Sequence, residues 1–223
     1  MLPLLAAALW LVGLASPASA DMSPGRLEFA IERDGREEGR HVVEVRETSD
    51  GWSVQSNVHI DVKFGPIVVF RYRQSCSESW QASDAGPRLE NLRCETSKGG
   101  RDTEVSARRD GATLLVSGAE GQARVAASAV PTNWWAHFAL DRARFIDTET
   151  GEARDLRITP LGASDAATAS GDIPASKTRV QGTIVADLWY DANGRWVGCT
   201  FTARGQTFTY RLISPLSTAP RAL

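Results

Sequence analysis

Cysteine is scarce in this chain, three in 223 residues, and no two stand at the Cys-x-x-Cys spacing. That spacing poises a thiolate for disulfide exchange, so a thiol oxidoreductase is not expected. Histidine is equally sparse. His41, His59 and His137 form no His-x-x-x-His pair and no Cys/His cluster, so no metal site is expected. Gly-x-Ser-x-Gly, a phosphate loop and Gly-x-Gly-x-x-Gly are all missing, which leaves serine hydrolases and nucleotide enzymes without their usual frames and implies no cofactor. Charge of one sign is lacking too: 25 basic against 27 acidic residues give a net −2. A nucleic-acid partner, which calls for a basic face, is therefore not expected. Long apolar runs are absent apart from residues 4–14, a stretch too short to cross a bilayer.

That run is followed by Ser16-Pro17 and then Ala18-Ser19-Ala20, a small-x-small site. The order reads as a secretory signal peptide over residues 1–20, cut after Ala20, with no following Cys to carry a lipid. The mature chain, residues 21–223, is expected as a single β-rich domain with no transmembrane segment, placed in a bacterial periplasm or secreted. Its length suffices for a sizeable core.

The remainder is dominated by period-2 alternation. Leu27, Phe29 and Ile31 alternate with charged residues, and Asp34-Gly35 marks a turn. Trp52, Val54, Val58, Ile60 and Val62 alternate with polar residues. A two-residue Asp50-Gly51 turn pairs Ser49 with Trp52 and so sets Val43 opposite Val58 and His41 opposite Ile60. A long strand from Gly65-Pro66 to Trp80 carries Val68, Phe70, Tyr72, Cys76 and Trp80 on one face. Folding it about Ala85 sets Cys76 opposite Cys94. Gly99-Gly100 then sets Cys94 opposite Val105, and Asp110-Gly111 sets Val105 opposite Val116 and Ala107 opposite Leu114. In an exported protein, two cysteines facing each other on adjacent strands predict a Cys76–Cys94 disulfide. Cys199, on an apolar strand, reads as an inert packed thiol.

Pro131-Thr132 opens one predicted helix, with Thr132 as N-cap for residues 133–142 and Trp134, Trp135, Phe138 and Leu140 as its apolar residues. Residues 163–176 are rich in Ala, Ser, Asp and Gly and read as a mobile loop. Residues 179–213 read as three strands, with Ile184, Leu188 and Tyr190 on one face and Val185 and Trp189 on the other. Apolar character on both faces predicts a sheet centre covered on both sides. The expected fold is mainly β: a curved antiparallel meander sheet or incomplete barrel of about ten or more strands, with one short helix on its concave face.

Candidate chemistry is thin. Asp147 and Asp191 lie in turn sequences, where their side chains serve as caps. Asp187, on a mostly apolar strand, is the one carboxylate that could mark a cleft for acid–base work. The aromatics offer the other lead: Trp134, Trp135 and Phe138, with Trp189 and Tyr190, could line an apolar cavity. The candidate ligand-binding set is therefore Trp134, Trp135, Phe138, Asp187, Trp189 and Tyr190, and the leading expectation is a non-enzymatic binder of a lipid, an amphipathic ligand or an envelope protein. The alternatives are a carboxylate-based hydrolase near Asp187 and an envelope structural or interaction protein that uses a sheet edge.

Several short motifs occur in order: Asp34-Gly35 with Gly39, Phe70-x-Tyr72, Pro131-Thr132-x-Trp134, Asp147-Thr148-x-Thr150-Gly151 and Asp187-x-Trp189-Tyr190-Asp191-x-x-Gly194. The set resembles an uncharacterised family of exported proteobacterial proteins, a domain of unknown function, over most of the mature chain. Relatives with a Tyr-Asp-x-x-Gly-Arg turn are loosely similar to lipoprotein-carrier half-barrels, an antiparallel half-barrel around a helix. The resemblance implies a fold and carries over no catalytic residue.

Overall fold

A computed structural model of the chain describes residues 24–137, 140, 144–182, 185–203 and 205–214. The expected signal peptide and the side chains of Phe138 and Ile184 lie outside the described residues. The alternating segments become β1 (Gly25–Arg33), β2 (Arg36–Glu47), β3 (Gly51–Phe64), β4 (Ile67–Gln81), β5 (Arg88–Lys98), β6 (Arg101–Asp110), β7 (Thr113–Gly118) and β8 (Gly121–Ala126). Three two-residue strands follow, β9 (Val130–Pro131), β10 (Phe145–Ile146) and β11 (Ala153–Arg154). The chain closes with β12 (Arg157–Thr168), β13 (Gly171–Gln181), β14 (Val185–Tyr190), β15 (Trp196–Ala203) and β16 (Gln206–Leu212).

Thirteen strands make one curved sheet in the order β12-β13-β14-β15-β16-β1-β2-β3-β4-β5-β6-β7-β8. Every neighbour in that order is antiparallel, so the chain runs as two meanders joined where β16 pairs with β1, Ile31 facing Tyr210. The sheet does not close into a barrel. Its β12 margin folds back far enough for Thr168 to pair with Leu212 of β16.

The turn chemistry explains the tight hairpins. Gly99 and Gly100 have φ of +57° and +84°, the left-handed pair that a two-residue turn needs to match strand twist. Cys76 faces Cys94 and Cys94 faces Val105, as the spacing predicts. Two registers differ from expectation by two residues. Val43 faces Ser56 and His41 faces Val58, because the turn centres on Ser49-Asp50, one residue earlier than expected, with Thr48 N–H donating to Gly51 O at 2.9 Å. Likewise Ala107 faces Val116, with Asp110 paired to Thr113 around Gly111-Ala112. A slip of two returns every side chain to its original face, so apolar patterning does not resist it.

The closing strands are interior to the sheet, but their cover is uneven. Ala186, Leu188 and Tyr190 are buried on one face of β14, whereas Val185 on the other is 49% exposed. Cover on that second face comes from β12, where Ser164 accepts a hydrogen bond from Trp189 Nε1 at 3.3 Å. Residues 163–176, expected as a mobile loop, instead form the β12–β13 hairpin, with Ala166 buried and facing Ile173. Their small side chains suit a strand that lies close over its neighbours, a feature that composition does not express.

The concave face is filled by the chain itself. Val130 of β9 and Phe145 and Ile146 of β10 are buried in the main core, where β9 and β10 pair in parallel. The tryptophan segment beside them was expected as a helix over 133–142. Its described residues instead form a turn at Trp134-Trp135, an isolated bridge from Ala136 to Arg195, and 3-10 geometry at His137 and Leu140. Docking against β4 and β14 decides this conformation over local helix propensity. The β10–β11 turn seats on the end of β7. Ala119 N–H donates to Thr150 O at 3.0 Å, and a Cβ on Gly118 would stand 2.2 Å from that same carbonyl.

Candidate functional site

Strand alternation divides the predicted ligand set between two faces. Trp134, Trp135 and Tyr190 meet on the inner side. Tyr190 Oη donates to Trp134 O at 2.8 Å, Trp134 tilts against Phe145, and Trp135 packs edge-on to Trp80, each with ring centres 6.0 Å apart. Asp187 and Trp189 point outward. Asp187 accepts from Arg179 Nε at 2.7 Å and Nη2 at 2.9 Å, with Lys177 Nζ also 2.9 Å away. These partners, Arg179 first, outweigh burial and hold the carboxyl down at about 2. A general acid needs a shift in the opposite direction, so Asp187 is placed as an ion-pair centre. Lys177 also lies 4.7 Å over the Trp189 ring. Phe138 lies outside the described residues.

The turn carboxylates do what their sequences imply. Asp147 Oδ1 accepts from the N–H groups of Glu149 and Thr150, and Asp191 Oδ1 from those of Asn193 and Arg195. Cys76 and Cys94 form a disulfide, with their Cα atoms 4.1 Å apart. Cys199 is buried, and burial pushes its thiol far up. Among the described residues no three His, Cys, Asp or Glu side chains stand together as a metal site.

Sequence reasoning missed a polar cluster on the same inner face. Glu78 is buried between β4 and the tryptophan turn. Its carboxylate accepts from Asn133 Nδ2 at 2.6 Å, Trp80 Nε1 at 2.7 Å and Trp135 Nε1 at 3.3 Å. Burial pushes its pKa up despite those donors. Further along β4, Gln74 donates to Thr96 at 3.1 Å and to Thr148 at 3.4 Å, and Thr148 contacts Thr132 at 3.3 Å. Gln74 and Glu78 share the parity of Cys76 and Trp80, so alternation alone marks them as inward polar residues. A second such residue is His41, whose Nε2 lies 2.8 Å from Ser56 Oγ and whose ring sits among Phe29, Trp196 and Tyr210. Glu78 and Gln74 tie the concave filling to the sheet, whereas the partners of His41 all lie on the sheet itself.

Surface features lie elsewhere. Two open grooves cross the polar outer face, one of about 500 Å³ floored by Ser77, Ser79, Asn91 and Ser106, the other of about 840 Å³ flanked by Arg40, His59, Arg73 and Glu104. Both are lined mainly by polar and charged side chains, with Leu92, Ala107 and Leu115 in the first and Val42 and Val58 in the second. The margin strand β8 is short and carries Arg124, ion-paired to Asp110 at 2.6 Å, both devices that discourage edge pairing.

Exposed apolar surface is concentrated at the end of the β3–β4 hairpin. Phe64 is 79%, Ile67 64% and Val69 61% exposed. The ladder of β2 with β3 stops at Ile60 and that of β4 with β5 at Tyr72, with Gly99 N–H still donating to Arg71 O at 2.9 Å, so the turn end of the hairpin runs past both neighbours. Four residues of strand reach about 13 Å. Phe64 faces Ile67 across the turn, Val69 is the extra residue of a bulge between Val68 and Phe70, and Val68 and Phe70 are half-buried.

Comparison with other proteins bears on the fold. Among curated proteins, none matches this chain. A crystal structure of a Brucella abortus protein, described as a β-barrel-like protein of the domain of unknown function DUF1849, is similar with a TM-score of 0.61 at 10% identity. The match covers 87% of this chain and 98% of that one. At that identity the likeness shows a shared barrel-like fold. A family profile matches residues 29–213, and on that match the chain belongs to the family described as a domain of unknown function, DUF6134.

Proposed function

We propose that this protein is an exported, non-enzymatic binding protein that docks on an amphipathic component of the bacterial envelope through the end of its β3–β4 hairpin. The observation that carries the reading is the cluster Phe64, Ile67 and Val69, all more than 60% exposed on a projecting hairpin. Large apolar side chains held together in water mark a surface that is covered in use. A docking surface fits better than an internal cavity, because the chain's own Val130, Phe145 and Ile146 occupy the concave face. The expected leader supplies the export route, with cleavage after Ala20 exposing Asp21 as the new N-terminus.

Fractionation tests it. The full chain is expressed in a Gram-negative host, and washed envelopes are compared with the osmotic-shock fluid. Wild type is expected on the envelopes, and the Phe64→Ser/Ile67→Ser double variant in the fluid at equal folded yield. Equal partitioning of the two would refute the docking role of the hairpin.

A further inference from the structure

We infer that the surface covering this hairpin end is a lipid bilayer carrying anionic headgroups; the inference rests on the docking reading above and names its partner. The first argument is shape. The apolar side chains stand on a convex, two-stranded tip with Pro66 in its turn, not in a groove that would receive a peptide or a second protein's side chain. Phe64, Ile67 and Val69 are each more than 60% exposed about the turn, and Phe64 faces Ile67 across it, so the tip presents a cluster of apolar side chains to solvent. A bilayer interface accommodates that geometry, because acyl chains close around an inserted wedge without needing a complementary shape.

The second argument is charge. The Gly65-Pro66 turn is flanked at this end of the sheet by the Asp34-Gly35 and Gly99-Gly100 turns. The acids near them are mostly neutralised within the protein. Glu38 pairs with Arg33 at 2.8 Å, Glu37 with Arg40 at 2.6 Å, Asp61 with Arg73 at 2.8 Å, and Glu149 with Lys98 at 2.6 Å. Arg36, Lys63 and Arg101 form no ion pair among the described residues, and Arg71 has only a 3.8 Å contact with Asp61. Asp34 and Asp102 are the acids set against them. The cations thus ring the apolar tip at the level where headgroup phosphates would lie once the tip is inserted. Neither signal alone holds a soluble protein on a membrane, but apolar insertion and headgroup attraction add. The hairpin is braced for the load: Arg33 Nη2 donates to Lys63 O, Lys63 N–H donates to Glu38 Oε2, and Gly99 N–H donates to Arg71 O.

The test is flotation of the purified mature chain with vesicles of phosphatidylethanolamine and phosphatidylglycerol at 3:1, against vesicles of phosphatidylcholine alone. Wild type is expected to float with the anionic vesicles and to bind phosphatidylcholine roughly tenfold more weakly. Lys63→Gln/Arg101→Gln is expected to reduce the preference for anionic vesicles, while Phe64→Ser/Ile67→Ser abolishes flotation, both with unchanged circular dichroism. Equal binding to the two lipid compositions, or flotation that survives Phe64→Ser/Ile67→Ser, overturns the inference. If wild type ignores both vesicles while Phe64→Ser/Ile67→Ser still leaves washed envelopes, the lipid surface is refuted. The hairpin then docks on an envelope protein, and the broader reading stands.

Discussion

The Glu78 carboxylate and the Asn133 amide meet at 2.6 Å, and through that contact a strand of the sheet grips the segment filling its concave face. Among the described residues no cation pairs with the carboxylate. Its charge is dispersed over one amide and two indole N–H groups, while burial opposes ionisation.

Glu78→Gln is accordingly expected to destabilise the protein by about 2 kcal/mol, because a glutamine turns one acceptor oxygen into a donor facing donors. Asn133→Ala is expected to cost less, about 1 kcal/mol, since the two indoles still satisfy the carboxylate. Urea unfolding followed by tryptophan fluorescence measures both. Equal stability of Glu78→Gln and wild type would show that the cluster does not hold the segment down.

His41 sets the acid limit of stability. Its Nε2 bonds to Ser56, its Nδ1 is buried without a hydrogen-bond partner among the described residues, and burial lowers its pKa from 6.5 to about 3. The folded state therefore keeps the ring neutral where the unfolded chain protonates it. Stability present above pH 6.5 is lost progressively as the pH falls towards 3, on the order of 5 kcal/mol in all. Glu78 acts in the opposite sense, its raised pKa weakening the fold as the pH climbs above the ordinary carboxylate value. Comparing wild type with His41→Gln isolates the histidine: the variant is expected to show a flatter stability profile between pH 6.5 and 4.

Gly118→Ala is expected to lower stability by about 3 kcal/mol, as its methyl would meet Thr150 O at 2.2 Å and push the β10–β11 turn off the sheet. Hydrogen exchange should then accelerate at Ala119 N–H, whose acceptor is that carbonyl, while Cys94 and Val105 on β5 and β6 stay protected. Uniform acceleration throughout the sheet would contradict a locally docked turn.

Reduction of Cys76–Cys94 releases a loop of 18 residues and is expected to cost about 3 kcal/mol. A thiol reagent should find no reactive group in the native protein and one, Cys199, after unreduced unfolding. A reactive thiol in the folded state would contradict the burial of Cys199.

The amino-acid sequence by itself determined the strands, their faces and the cysteine pairing. Alternation assigns each side chain to a face, and a Gly-Gly or Asp-Gly turn leaves the flanking strands little choice of partner, as at Gly99-Gly100. What alternation does not resolve is a slip of two, and there the β2–β3 turn, centred on Ser49-Asp50, departed from the pattern while His41 kept its inward face. Gln74 and Glu78 were legible as inward polar positions, but their partners were not, because Asn133, Trp135 and Thr148 lie more than fifty residues away in the chain. Only the tertiary structure turned residues 163–176 into a hairpin, since their small side chains gain order from lying over β14 rather than from burying apolar surface of their own. Docking likewise replaced the expected helix after Thr132 with a turn, the hydrogen bonds to Trp134 O and Glu78 outweighing local propensity. It also decided that Asp187 and Trp134 serve opposite faces, and that Phe64, Ile67 and Val69 stand in water: exposure depends on where neighbouring strands end, and β2 and β5 end short of the β3–β4 tip.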